Sequence, residues 1–91
     1  MEQSGQKDTI NRIRQMEFYF DTIQNAVRED AVSARNDASI QEMFRILMEY
    51  YENGQWLADY ECDERGELPV DLKRGVLSED GVYDLIGELH W

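Results

Sequence analysis

Residues 6–53 contain neither glycine nor proline, and that stretch limits what this chain can fold into. Within it Ile10, Ile13, Met16, Phe20, Ile23, Val27, Ala31 and Ala34 recur at spacings of three and four. That is the single apolar stripe of a long amphipathic α-helix. No alternation of period two and useful length competes with it, and no internal repeat or low-complexity tract interrupts the chain. The spacing predicts a first helix over 8–35, with residues 1–7 as a frayed end. A helix of about 25 residues is roughly 37 Å long at 1.5 Å per residue.

The pattern breaks at "SARNDAS", residues 33–39, where Asn36, Asp37 and Ser39 compete for backbone hydrogen bonds. "SIQE" matches a capping box, with Ser39 as N-cap and Glu42 reaching back. A second helix over 39–53 follows, with Ile40, Met43, Phe44, Leu47, Tyr50 and Tyr51 on one face and Ile46 and Met48 flanking it. Gly54 suits the left-handed position that ends a helix. Trp56, Leu57 and Tyr60 predict a short helical turn over 55–61, and residues 62–77 read as an acidic connector holding Pro69, the only proline. Ser78 is the expected N-cap of a third helix over 79–89, with Glu79 and Asp80 favourable at its positive end. Leu77 and Val82 occupy staple positions, and Val82, Leu85, Ile86 and Leu89 form a narrow apolar stripe. The expected architecture is all-α: an antiparallel helical hairpin, an ordered acidic connector and a short third helix, in one domain of 91 residues.

The stretch "YYENGQWLADYECDERGELPVDLKRGVLSEDGVYDLI", residues 50–86, resembles a family of short bacterial proteins classed only as a domain of unknown function (DUF 4298-like). The resemblance rests on Tyr50–Tyr51, the Gly54-x-Trp56 element, the acidic connector with Gly66–Pro69, and Asp71–Asp80 ahead of the last helix. "INRIRQME", residues 10–17, fits as that family's first helix. The chain departs from the pattern at its end, where the last helix stops at "ELHW" and contains Gly81 and Gly87. The resemblance implies a fold class and names no activity.

Charge narrows the partners. Twenty acids against nine bases give a net charge of −11. Direct binding to nucleic acid or to an anionic membrane surface is disfavoured, because both are polyanions. A protein partner with a basic surface is favoured. "MEQSGQKDT" lacks the apolar run of a signal peptide, no stretch approaches a membrane span, and the lone Cys62 allows no internal disulfide. A cytoplasmic protein is expected.

"DYECDERGEL", residues 59–68, holds five carboxylates and raises the question of a calcium loop. An EF-hand loop needs glycine at its sixth position and a bidentate glutamate at its twelfth. Starting at Asp59 places Glu64 and Val70 there; starting at Glu61 places Gly66 correctly but Leu72 last. Both frames fail, so no metal is expected, and no cofactor. Three other features are candidates for contact. Asp80, Asp84 and Glu88, spaced by four, line one edge of the last helix, and with Asp63, Glu64 and Glu67 form an expected acidic interaction face. Phe18, Tyr19, Trp56 and Tyr60 are the aromatic candidates. Phe18 projects opposite the apolar stripe of the first helix, so it is covered by this chain, by a partner, or by a second copy in a homodimer. Lys73 and Arg74, the only adjacent basic pair, either neutralise the connector and last helix or contact an anion ahead of a helix N-terminus.

Catalysis has little support in the residues. His90, the only histidine, is penultimate. Cys62 lies among Glu61, Asp63 and Glu64, and negative neighbours raise a thiol pKa, the wrong direction for a nucleophile. Zinc needs more Cys or His ligands than the two present, and the Glu-x-x-His of a di-metal bundle is missing. The expected function is a small, acidic, non-catalytic interaction protein. The narrower alternative is an acidic inhibitor that imitates nucleic acid and blocks a nucleic-acid-binding enzyme, as phage anti-defence proteins of the anti-CRISPR type do.

Overall fold

The computed structural model describes the backbone of residues 2–78 and 80–89 and the side chains of 7–78 and 80–87. Among the described residues the chain forms five α-helices and one 3-10 turn, with no strand. The expectation of an all-α chain is met. The expectation of three helices is corrected to five, for reasons that are local.

Helix α1 spans Glu2–Glu29 and α2 spans Ala31–Asn36. The predicted continuous helix over 8–35 is therefore broken at Asp30, and its start is at Glu2, inside the segment expected to fray. Asp30 is extended (φ −165°, ψ 99°). Its Oδ1 accepts from the Val32 and Ser33 amides at 3.1 and 3.2 Å, and Ser33 Oγ donates to its Oδ2 at 2.9 Å. Those bonds to the ionised side chain hold its pKa below the usual carboxylate range. An aspartate that caps its own downstream amides starts a new helix. Asp37 repeats the device. Its Oδ1 accepts from Ser39 and Ile40 amides at 2.8 and 3.2 Å and caps α3, Ala38–Glu52. The Ser39–Glu42 capping box does not form, because Asp37 takes the orphan amides and Glu42 pairs with Arg45.

Gly54 is left-handed, φ +96°, as its place after α3 predicts. Helix α4 then runs Gln55–Glu64, longer than the turn expected over 55–61. The connector accordingly begins near Arg65, and Asp63 and Glu64 belong to α4. The 3-10 turn spans Gly75–Leu77 and α5 spans Gly81–Leu89. Ser78 Oγ accepts from the Gly81 amide at 2.9 Å, three residues on, as a helix cap does. Glu79, His90 and Trp91 lie outside the described residues, as do the side chains of Glu88 and Leu89.

The core joins all of these elements. Ile13, Phe20 and Ile23 of α1 are buried, with Ile40, Leu47 and Tyr50 of α3. Leu68 and Leu72 of the connector, Val76 and Leu77 of the 3-10 turn, and Val82 and Leu85 of α5 complete it. Each fully buried aliphatic side chain contributes roughly 1.5–3 kcal/mol. Helix α1 packs on α2 and α3, and the 3-10 turn touches α1, α4 and α5. A three-residue turn can serve as a hub because Val76 and Leu77 are both inside. No helix among the described residues is long and apolar enough to cross a membrane.

Candidate functional site

The acidic stretch that looks like a loop in the sequence is mostly helix, and three of its five carboxylates, Asp59, Asp63 and Glu67, are engaged. Asp59 is 1 % exposed. Arg12 of α1 grips it with two bonds, Nε to Oδ2 at 3.0 Å and Nη2 to Oδ1 at 2.6 Å. Tyr50 Oη donates to Oδ2 at 2.7 Å. Burial, then the Asp59 contact, hold the Tyr50 phenol protonated far above its ordinary range. The bond to Asp59 likewise raises the Arg12 pKa. Helices α1, α3 and α4 thus meet at one ion pair.

Asp63 accepts from Arg74 Nε at 2.6 Å. The rest of the Arg74 guanidinium donates to the carbonyls of Pro69, Val70 and Leu72. One fixed fork therefore closes the connector onto α4, which suits arginine's five rigidly placed donors. Glu67 pairs with Arg65 and accepts from Cys62 Sγ at 3.3 Å. Burial first, and then that carboxylate, push the Cys62 thiol up. Lys73 reaches Asp21 of α1 at 2.7 Å, and among the described residues it pairs with no carboxylate of the connector or last helix. Among the described residues no three of the His, Cys, Asp and Glu side chains converge to hold a metal ion.

The residues grouped as one acidic face divide. Asp63, in the last turn of α4, is paired with Arg74 and Glu67 with Arg65, while Glu64, Asp80 and Asp84 are exposed and have no ion-pair partner among the described residues. Asp80 enters α5 by accepting from the Asp84 amide at 2.8 Å, so the two acids share its first turn. The Glu88 side chain lies outside the described residues.

The aromatic candidates also separate. Trp56 stacks on Tyr60 with centroids 5.1 Å apart and meets Tyr51 at the same distance, tilted by 59°. Its indole N–H donates to the Val76 carbonyl at 2.7 Å. Trp56 therefore fixes α4 against the 3-10 turn. Phe18 is 59 % exposed and its ring lies 6.0 Å from that of Tyr19. It borders an open groove of about 360 Å³ with Arg14, Glu17, Asp21, Asp71, Leu72 and Lys73. The structure brings Phe18 and Lys73 together there, and neither meets Trp56.

Sequence reasoning missed two features. Glu17 is 6 % exposed, and its Oε1 accepts from the Val76 amide at 2.8 Å. Burial raises its pKa, with Asp21 adding to the effect and the Val76 amide and Lys73 opposing it. The signal was present: Glu17 sits four after Ile13 and three before Phe20, squarely on the buried stripe. The second feature is a groove between α3 and α5, about 480 Å³, lined by Phe44, Met48, Tyr51, Glu52, Tyr83 and Ile86. Its α3 wall, residues 44, 48, 51 and 52, has helical spacing, but which helix stands opposite is a tertiary fact.

A family model described as "Domain of unknown function (DUF4298)" matches residues 13–91. No curated protein and no solved structure matched this chain.

Proposed function

The chain belongs to the DUF4298 family, and from that premise we propose that it is a non-catalytic protein-interaction module that recognises a partner with a basic surface. The family description names no activity, so surface chemistry carries the reading. One observation supports it most: exposed Asp80 and Asp84 stand beside Tyr83, itself 67 % exposed, on a helix with no Lys or Arg. Charge of one sign beside an aromatic side chain gives an interface both steering and contact area. The ionisable groups best placed for chemistry are engaged in the fold instead: Asp59 by Arg12 and Tyr50, Glu17 by Val76, and Arg74 by Asp63.

The test is affinity capture from a native lysate at two salt concentrations, comparing wild type with Asp80→Lys plus Asp84→Lys. A partner recognised through this surface is captured by wild type, weakened by salt and lost by the double variant. Capture that the double variant leaves unchanged excludes the reading. The narrower alternative, an inhibitor seated in the nucleic-acid channel of an enzyme, draws on the net charge of −11. Competition of the captured partner by added DNA or RNA would favour it.

A further inference from the structure

Helix α3 presents Phe44, Met48, Tyr51 and Glu52 to the same groove that Tyr83 and Ile86 of α5 line from the other side. The floor is aromatic and aliphatic, and Met48 supplies a flexible, polarizable side chain of the kind that adapts to varied apolar partners. Its charge is one-sided. Residues 46–64, which include the second half of α3 and all of α4, contain no Lys or Arg, and neither do residues 75–91. The base nearest in sequence to the α3 wall, Arg45, is tied to Glu42 and Glu49. Glu52 lies in the groove itself. Around α5, at 100° per residue, Tyr83 falls between Ile86, which faces the groove, and the exposed edge carrying Asp80 and Asp84.

We propose that the groove between α3 and α5 docks a cationic amphipathic helix of a partner protein, its apolar side chains seated on Phe44, Met48, Tyr51 and Ile86 and its Lys or Arg side chains on Glu52, Asp80 and Asp84. The proposal rests on the interaction reading above and names the chemistry of the partner. Helix-in-groove recognition uses apolar anchors at spacings of three, four and seven, and the exposed Tyr83 ring suits contact with a guanidinium. A second copy of this chain, at net charge −11, is a poor occupant, since it brings its own excess of carboxylates to a groove whose one charged lining residue is Glu52. An acidic peptide is repelled for the same reason.

The probe is a labelled synthetic leucine–lysine peptide patterned as an amphipathic helix, with a leucine–glutamate peptide of the same pattern as control. Fluorescence anisotropy with the full chain reads binding, and circular dichroism reads the fold of each variant. The lysine peptide binds and the glutamate peptide does not. Tyr83→Ala, a change at an exposed side chain, weakens binding about tenfold, as loss of an aromatic anchor does. Asp80→Lys plus Asp84→Lys flattens its salt dependence. Glu61→Lys plus Glu64→Lys, an equal charge change on the exposed side of α4, leaves it in place. Equal losses from both charge-reversed pairs, or no loss from Tyr83→Ala, would overturn the groove as the site. Native capture from lysate separates the two readings. A partner lost by the Asp80 and Asp84 variant but retained in full by Tyr83→Ala sinks the groove and leaves the interaction reading standing.

Discussion

Arg12 and Asp59 stand 47 residues apart in sequence and form a two-bond ion pair, with the Asp59 side chain almost wholly inside the protein and that of Arg12 partly exposed. Tyr50 closes the arrangement from α3. Removing one member of such a pair leaves the others without partners, which costs more than the pair contributes. Asp59→Ala is expected to destabilise the fold by about 3 kcal/mol. Urea unfolding followed by circular dichroism checks the loss. Arg12→Lys, which keeps the charge but loses the fork, is expected to cost less than Asp59→Ala.

The same site gives an alkaline prediction. The Tyr50 phenol ionises at higher pH in the folded chain than its ordinary 10.0. The unfolded chain therefore releases that proton first, and stability present below pH 10 is lost as pH rises past it. Tyr50→Phe should lose stability at neutral pH, about 1 kcal/mol for one hydrogen bond, and show a shallower alkaline decline. Thermal melts across the alkaline range compare the two slopes. Parallel slopes would remove Tyr50 as the cause.

Glu17 predicts the opposite kind of substitution effect. Its folded pKa is raised above the ordinary 4.5, so the folded state holds the proton more tightly than the unfolded chain does. Stability from this group is full below pH 4.5 and declines as pH rises through the folded pKa. Glu17→Gln keeps an acceptor for the Val76 amide and removes the buried charge. The variant should be the more stable at pH 7, with the gap closing as pH falls toward 4.5. Glu17→Leu orphans the Val76 amide and should cost about 1–3 kcal/mol.

Arg74 is the clamp of the connector, through Asp63 and three carbonyls. Lysine is a point charge with a flexible stem and cannot reproduce that fork. Arg74→Lys should raise hydrogen exchange of amides in residues 66–74 while leaving α1 and α3 protected. Exchange read by mass spectrometry separates this local loosening from global unfolding.

Two glycines of the last helix should respond oppositely to alanine. A Cβ on Gly81 would lie 2.8 Å from the Gly75 carbonyl oxygen, closer than packed atoms approach. A Cβ on Gly87 meets nothing within 4 Å. Gly87→Ala should stabilise by about 1 kcal/mol through helix propensity, and Gly81→Ala should destabilise. Denaturation midpoints of the two variants give the sign directly.

Periodicity alone was enough to read this chain as helical, because the 3.6-residue repeat of Ile13, Phe20, Ile23, Leu47 and Tyr50 is a local property of the chain. The end of α3 at Gly54 was legible for the same reason, since only glycine takes φ +96° at low cost. The break at Asp30 was carried by local hydrogen bonds too, yet an aspartate inside an apolar pattern reads equally as a solvated surface residue, while the break before α3 was legible in Asn36, Asp37 and Ser39 but not that Asp37 caps it. What the sequence could not decide was which charges are used. Asp59, Asp63, Asp80 and Asp84 are alike as letters. Arg12 reaches Asp59 from α1, Arg74 folds back on Asp63, and no base among the described residues pairs with Asp80 or Asp84. The groove between α3 and α5 is hidden in the same way. Its two walls are separate amphipathic faces until the packing of α5 against the 3-10 turn places Tyr83 and Ile86 opposite Phe44, Met48 and Tyr51. Helical period is written in neighbours along the chain, whereas charge pairing and groove formation depend on contacts between residues far apart in it.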